Sequence, residues 1–157
     1  MKSNLIAALA GALIAPAAVA ATAGDATVPI HQFIDGFNQG KVTSAYAAYG
    51  PGDISIIDEF PPHLWLGKGA PQAWAADYVK HAAATGVSDG SVTVGEPTRA
   101  VVGTDDAYVI VPAVYTYKEK GVAMAEEAQM TYVLHAVAGA WKISGWTWTG
   151  VTPHPAK

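Results

Sequence analysis

The 157-residue sequence predicts an α+β domain in which three helices come first and a strongly curved antiparallel sheet follows. Three observations lead there. Apolar residues recur at helical spacing over residues 30–37 and again over 71–84. Nearly everything from Ser91 to Thr149 reads as long strands joined by hairpin-length turns. The length left after a signal-like first segment suits one domain with a single hydrophobic core.

That first segment starts Met1-Lys2, continues without charge through Leu5-Ile6-Ala7-Ala8-Leu9 to Ile14-Ala15, and reaches Ala18-Val19-Ala20. A basic start, an apolar centre and an A-x-A site define an export signal, expected to occupy residues 1–20 with cleavage after Ala20 or Ala23. An uninterrupted membrane span needs about 20 apolar residues, and this stretch is shorter and broken by Pro16. The processed protein is therefore expected in the periplasm or outside the cell, with no membrane segment of its own.

All 13 acidic residues lie beyond residue 20, with every basic residue except Lys2. An acidic chain of scattered charge argues against a nucleic-acid or anionic-membrane partner. With no cysteine there is no disulfide, no lipid attachment through a thiol, no thiolate nucleophile and no Cys-based zinc site.

The elements follow in order. Thr27-Val28-Pro29 offers an N-cap and an early proline, and Ile30, Phe33, Ile34 and Phe37 form one helical stripe that stops at Asn38-Gln39-Gly40. Ala45, Tyr46, Ala48 and Tyr49 share a face of a short second helix, Val42 to Tyr49, ended by Gly50-Pro51-Gly52. Ile54 to Phe60 reads as a strand bounded by Pro61-Pro62. A third helix covers Pro71 to Ala84, with Thr85-Gly86 as its stop. Four strands complete the chain: Ser91–Val102, Ala107–Tyr117, Val122–Val137 and Trp141–Thr149. Pro112, lacking an N–H, predicts a bulge or bend within the second of these. Residues 151–157 read as a short polar tail.

This order resembles the nuclear transport factor 2-like superfamily, which includes ketosteroid isomerases and SnoaL-like polyketide cyclases. Phe33-Ile34-Asp35-Gly36-Phe37-Asn38-Gln39-Gly40-Lys41 is similar to that superfamily's first-helix ending, with Lys41 where an acidic residue is usual. Ile56-Ile57-Asp58-Glu59-Phe60-Pro61-Pro62 with Trp65-x-Gly67 resembles the first strand and its exit into the third helix. Trp141-Lys142-Ile143-Ser144-Gly145-Trp146 resembles the last strand. The resemblance spans residues 27–150 and implies a cone-shaped α+β barrel; it constrains function far less, because that scaffold hosts isomerases, cyclases, hydratases and binding modules.

Asp58 is the most informative polar residue. Parity with Ile54, Ile56 and Phe60 turns its carboxylate toward the apolar side, where desolvation raises its pKa and suits it to proton transfer. The resemblance places Asp58 at the position of the proton-shuttling aspartate of ketosteroid isomerases. Capping of the Pro61-Pro62 turn is the competing structural role. The isomerase resemblance fails at the oxyanion donors: Phe33 stands where a tyrosine is needed, and the strand position of the second acid falls near Gln129 to Thr131.

Alternation along the strand predicts that Glu59 faces away, so Asp58-Glu59 is not read as a carboxylate pair. Glu126-Glu127 shows the same adjacency. His31, His63, His81 and His135 have no metal-ligand spacing, so neither metal nor cofactor is expected. His63 is placed at the mouth of the Asp58 cavity, with an exposed loop position as the alternative. Trp65, Tyr115, Tyr132 and Trp148 are the aromatic residues expected to line a pocket for a small apolar or aromatic ligand, against ordinary core packing. The expectation is an exported, homodimeric small-molecule-binding domain capable of cofactor-independent acid/base chemistry. Its rival is a non-catalytic homodimeric interaction or structural domain.

Overall fold

The computed structural model describes residues 23–157; the expected export signal, residues 1–20, lies outside them. Helix α1 spans Ala23–Asn38, α2 Val42–Ala47 and α3 Ala70–Thr85. The strands are β1 Ile54–Ile57, β2 Leu64–Gly67, β3 Val87–Val94, β4 Arg99–Val102, β5 Asp106–Glu119, β6 Val122–Val137, β7 Ala140–Gly150 and β8 His154–Pro155.

Helix α1 starts earlier than its Thr27 cap signal predicts, which leaves Pro29 inside it. Packing explains the extra turn. Ala26 and Ile30 are both fully buried and extend the Phe33–Ile34 stripe upstream, and each large apolar side chain so buried stabilises the fold by about 1.5–3 kcal/mol. Gly36 allows α2 to pack close, because a Cβ there would sit 2.8 Å from the Ala45 Cβ. Beyond Gly36 the helix ends on Asn38, whose side-chain amide clamps β3: Nδ2 donates to Val92 O at 2.7 Å, and Val92 N donates to Oδ1 at 2.8 Å. The Asn-x-Gly motif thus joins helix to sheet.

Among the described residues the strands form one open, curved sheet in the order β2-β1-β7-β6-β5-β3, with β4 also on β5 and β8 on β6. The sheet is mixed, because β1 joins β7 in parallel while every other pairing is antiparallel. Lys120-Gly121 and Ala138-Gly139 all have positive φ, the two-residue hairpin geometry that matches strand twist.

Four strand expectations are corrected. The segment Ser91–Val102 is two strands, separated by Gly95-Glu96-Pro97-Thr98, and the first of them begins at Val87. Pro112 causes no bulge in β5, whose register with β6 is continuous; the interruption lies in the neighbour, where β3 ends opposite Ala113 and β4 begins opposite Ile110. Pro112 has no N–H to offer at that gap, and its carbonyl accepts from Gly95 N at 3.0 Å. Trp65-x-Gly67 is strand rather than helix approach, and part of the polar tail pairs with β6 as β8.

The helices cover the inner face of the sheet. Strand β7 serves that face twice, because a register shift against β6 at Val133/Leu134 places Ser144 as an extra residue. Trp141 and Ile143 are buried before the shift and Trp146 after it.

Candidate functional site

The turn after β1 builds the site. Strand β1 ends at Ile57, and β2 returns with Leu64 opposite it. Asp58 N donates to His63 O at 3.1 Å and His63 N to Phe60 O at 3.0 Å, so residues 58–63 form a compact turn. Strand alternation therefore stops at Ile57. Asp58 keeps the inward direction that its parity predicts, but Glu59 does not take the opposite one: Asp58, Glu59 and Phe60 all line a single cavity.

Phe33 and Phe37 of α1, Trp74 and Tyr78 of α3, Tyr115 of β5 and Trp148 of β7 supply most of the remaining wall. About 60 Å³ is open to the centres of water molecules. A single water needs roughly 10–15 Å³ on this measure, so the space suits a handful of waters or ligand atoms. Around Trp74 the rings of Phe33 and Trp146 pack edge-on, Phe37 tilted and Tyr78 stacked, with centroids 5.3 Å away for Trp146 and 5.9 Å for Phe33, Phe37 and Tyr78. Tyr78 and Tyr115 join hydroxyls at 2.7 Å. Behind this wall an apolar groove of about 170 Å³ lies among the three helices, bounded on its far side by Ala45 and Tyr46. Phe33, Phe37, Trp74 and Tyr78 face both spaces.

Asp58 is half-buried, and its carboxylate is held at both oxygens: Trp74 Nε1 donates to Oδ2 at 2.7 Å and Glu59 N to Oδ1 at 2.7 Å. Burial nevertheless pushes its pKa up to about 6, outweighing those two donors; the negative charge of Glu126 adds a smaller rise. At neutral pH Asp58 is mostly an ionised base that accepts a proton readily.

Glu126 is the residue that sequence reasoning missed. It is 0% exposed on β6, with Oε1 accepting from Trp148 Nε1 at 2.7 Å and Oε2 without a donor. Gly150 makes its place, since a Cβ there would collide with Oε1. The Glu59 side chain is exposed along part of its length, yet its carboxyl lies close enough to that of Glu126 to feel its charge. Burial first, then the neighbouring Glu126 carboxylate and the charge of Asp58, push Glu59 up to about 8. At neutral pH Glu59 therefore keeps its proton.

The remaining predicted residues divide. Tyr115 and Trp148 line the cavity with Asp58. His63, Trp65 and Tyr132 are not among the lining residues. His63 is exposed and its ring lies 3.3 Å from the Asp58 carbonyl oxygen. Trp65 is buried against Phe60 and its indole donates to Asp77 Oδ2 at 3.0 Å. Tyr132 is fully buried in the core, its hydroxyl directed to the Met130 sulfur at 3.2 Å. No group of three or more His, Asp or Glu among the described residues is arranged to hold a metal ion.

No protein-family model matches the sequence, and no curated protein matches it at a significant level. Solved structures do match the backbone. A ketosteroid isomerase-like protein from Erwinia carotovora atroseptica SCRI1043 superimposes with a TM-score of 0.62 at 19% identity, over 82% of this chain and 95% of that one. The hexachlorocyclohexane dehydrochlorinase LinA-type3 from Novosphingobium barchaimii LL02 gives 0.68 at 14% identity, over 82% and 85%. A nuclear transport factor 2-like superfamily protein from Salmonella enterica serovar Typhimurium LT2 gives 0.66 at 15%, over 86% and 92%. The fold is therefore that of the nuclear transport factor 2-like proteins, an α+β cone of three helices on a curved sheet. Its neighbours include proteins named for different chemistries, so the fold alone selects none of them.

Proposed function

We propose that this protein is an exported small-molecule-binding domain that performs cofactor-independent proton transfer, of the isomerase, cyclase or hydratase kind, with Asp58 as the base. One observation carries the reading: a carboxylate with a pKa of about 6 is fixed by Trp74 in the wall of an aromatic cavity. Burial tunes the base, and the rings orient an apolar ligand body. The isomerase-like and dehydrochlorinase neighbours support the class of site and leave the substrate open.

Native mass spectrometry of the processed protein, recovered from the exported fraction, is the first test. Export predicts a mass that starts at Ala21 or Gly24, and ligand binding predicts a retained small molecule. On the substrate so identified, Asp58→Asn should lower turnover by about 10²–10⁴-fold at saturating substrate. Full turnover in that variant would sink the mechanism.

A second reading, that the domain also acts as a homodimer, has its own observation. Val101, Tyr108 and Val133 form a cross-strand row over β4, β5 and β6 on the outer face, at 52%, 39% and 41% exposure. An apolar row on an uncovered sheet face suits a second copy of the same face. Dimer mass in the same spectrum, lost in Val133→Asp, is the expected result.

A further inference from the structure

The cavity combines two features that an apolar ligand alone does not explain. Its wall is almost continuous aromatic surface, including the faces and edges of Phe33, Phe37, Trp74, Tyr115 and Trp148. Every charged residue in that wall is acidic: Asp58 and Glu59 line it, and no Lys, Arg or His does. Behind them sits the fully buried Glu126, with one carboxylate oxygen lacking a donor. A neutral apolar ligand would leave these carboxyls facing hydrocarbon, and an anion would be repelled by them. Aromatic faces and carboxylates both attract positive charge. A cation that meets aromatic faces and carboxylates together is an organic one, because ring faces favour diffuse, weakly hydrated positive charge.

We infer that the cavity binds a small organic cation, an ammonium or quaternary ammonium group on an apolar body, with the charge held between the aromatic rings and the Asp58 and Glu59 carboxyls, and Glu126 adding negative potential from behind the wall. The room available, about 60 Å³ for water centres, fits a head group of a few heavy atoms. This rests on the cavity being a ligand site, and it adds the ligand's charge.

A proton linkage follows. The titratable groups that face the carboxyls are Tyr78 of α3, Tyr115 of β5 and Tyr49 just after α2, all neutral because burial raises them; His63 lies near Asp58 from the β1–β2 turn, and Tyr117 of β5 is near Glu59 and Glu126. In the empty cavity Glu59 keeps a proton at neutral pH that an entering cation displaces. Affinity for a permanent cation therefore rises from about pH 5.5 to about pH 8, and binding releases protons.

Choline and its carbon isostere 3,3-dimethylbutan-1-ol test the inference, because the pair differs only in the charged nitrogen; 3,3-dimethylbutanoate is the anionic control. Each is titrated into the protein while the indole N–H resonances of Trp74 and Trp148 are followed. Choline is expected to bind about tenfold or more tightly than the isostere. That advantage should grow with pH and shrink in Glu59→Gln. If the isostere or the anion binds as tightly as choline and moves the same indole signals, the cation inference is overturned and the ligand site stands. If no probe moves either indole at any pH, the reading of the cavity as a ligand site falls, and the inference falls with it.

Discussion

Replacing Asp58 by Asn should stabilise the fold by an amount that depends on pH. Burial raises the Asp58 carboxyl from its ordinary 3.8 to about 6, against the pull of the Trp74 and Glu59 donors. A carboxyl whose pKa is higher folded than unfolded holds its proton more tightly in the native state. Its contribution is therefore best below about pH 4, worsens as the pH climbs to about 6, and is level above that. At about 1.4 kcal/mol per unit, the shift amounts to roughly 3 kcal/mol of lost stability at pH 8, and about 1 kcal/mol at pH 4.5. Asparagine carries no such loss, and its carbonyl can still accept from Trp74 Nε1. Whatever the amide costs in packing, it costs the same at both pH values. Urea unfolding of parent and variant at the two pH values cancels that cost. The variant's stability relative to the parent should improve by about 2 kcal/mol between pH 4.5 and pH 8. An equal difference at both would refute the claim that Asp58 is ionised and poorly solvated in the folded state.

Trp148→Phe removes the donor from Glu126 Oε1 and leaves a fully buried carboxylate without a hydrogen bond; a loss of about 2–3 kcal/mol in urea unfolding is expected. Adding Glu126→Met to that variant should recover most of it, because no buried charge then remains. Asn38→Ala cuts both bonds between α1 and Val92, costing about 2–3 kcal/mol, and the Val92 amide should exchange with solvent markedly faster. Trp74→Phe keeps an aromatic wall but deletes the donor to Asp58 Oδ2. The Asp58 pKa should rise by about 1–2 units, read by carboxyl carbon titration. A fall would contradict the hydrogen-bond assignment.

Helices α1 and α3 were legible because their apolar residues repeat over several turns, and the hairpins because Lys120-Gly121 and Ala138-Gly139 interrupt β-branched runs. Asp58 was legible from two-residue alternation. The same rule misplaced Glu59, since alternation holds only while the strand lasts and the chain turns immediately after Ile57. Glu126 shares parity with Met130, Tyr132 and Leu134, all buried, so its inward direction was available in the sequence; adjacency to Glu127 made it look like a solvated pair. Its contacts with Trp148, Gly150 and Glu59 come from three separate segments, and no local pattern announces them. Tyr132 and Trp65 show the converse. Aromatic residues on an inward face belong to the core unless a neighbouring segment stands off to leave space, and that spacing is set by tertiary packing.

The wall between the cavity and the groove behind it is one side chain thick, and Trp74 is part of it. Trp74 is also the donor that steadies the charge on Asp58. Enlarging the site at Trp74 therefore alters the strength of the base in the same step, so ligand size and proton affinity cannot be tuned independently there. Phe37 faces both spaces too but makes only ring contacts with Trp74 and Tyr78. Thinning the wall at Phe37 opens the way to roughly 170 Å³ of extra apolar room with Asp58 still held by its donor. Relatives that accept larger ligands at an unchanged working pH should differ at position 37, and those that differ at position 74 should have shifted their pH dependence as well.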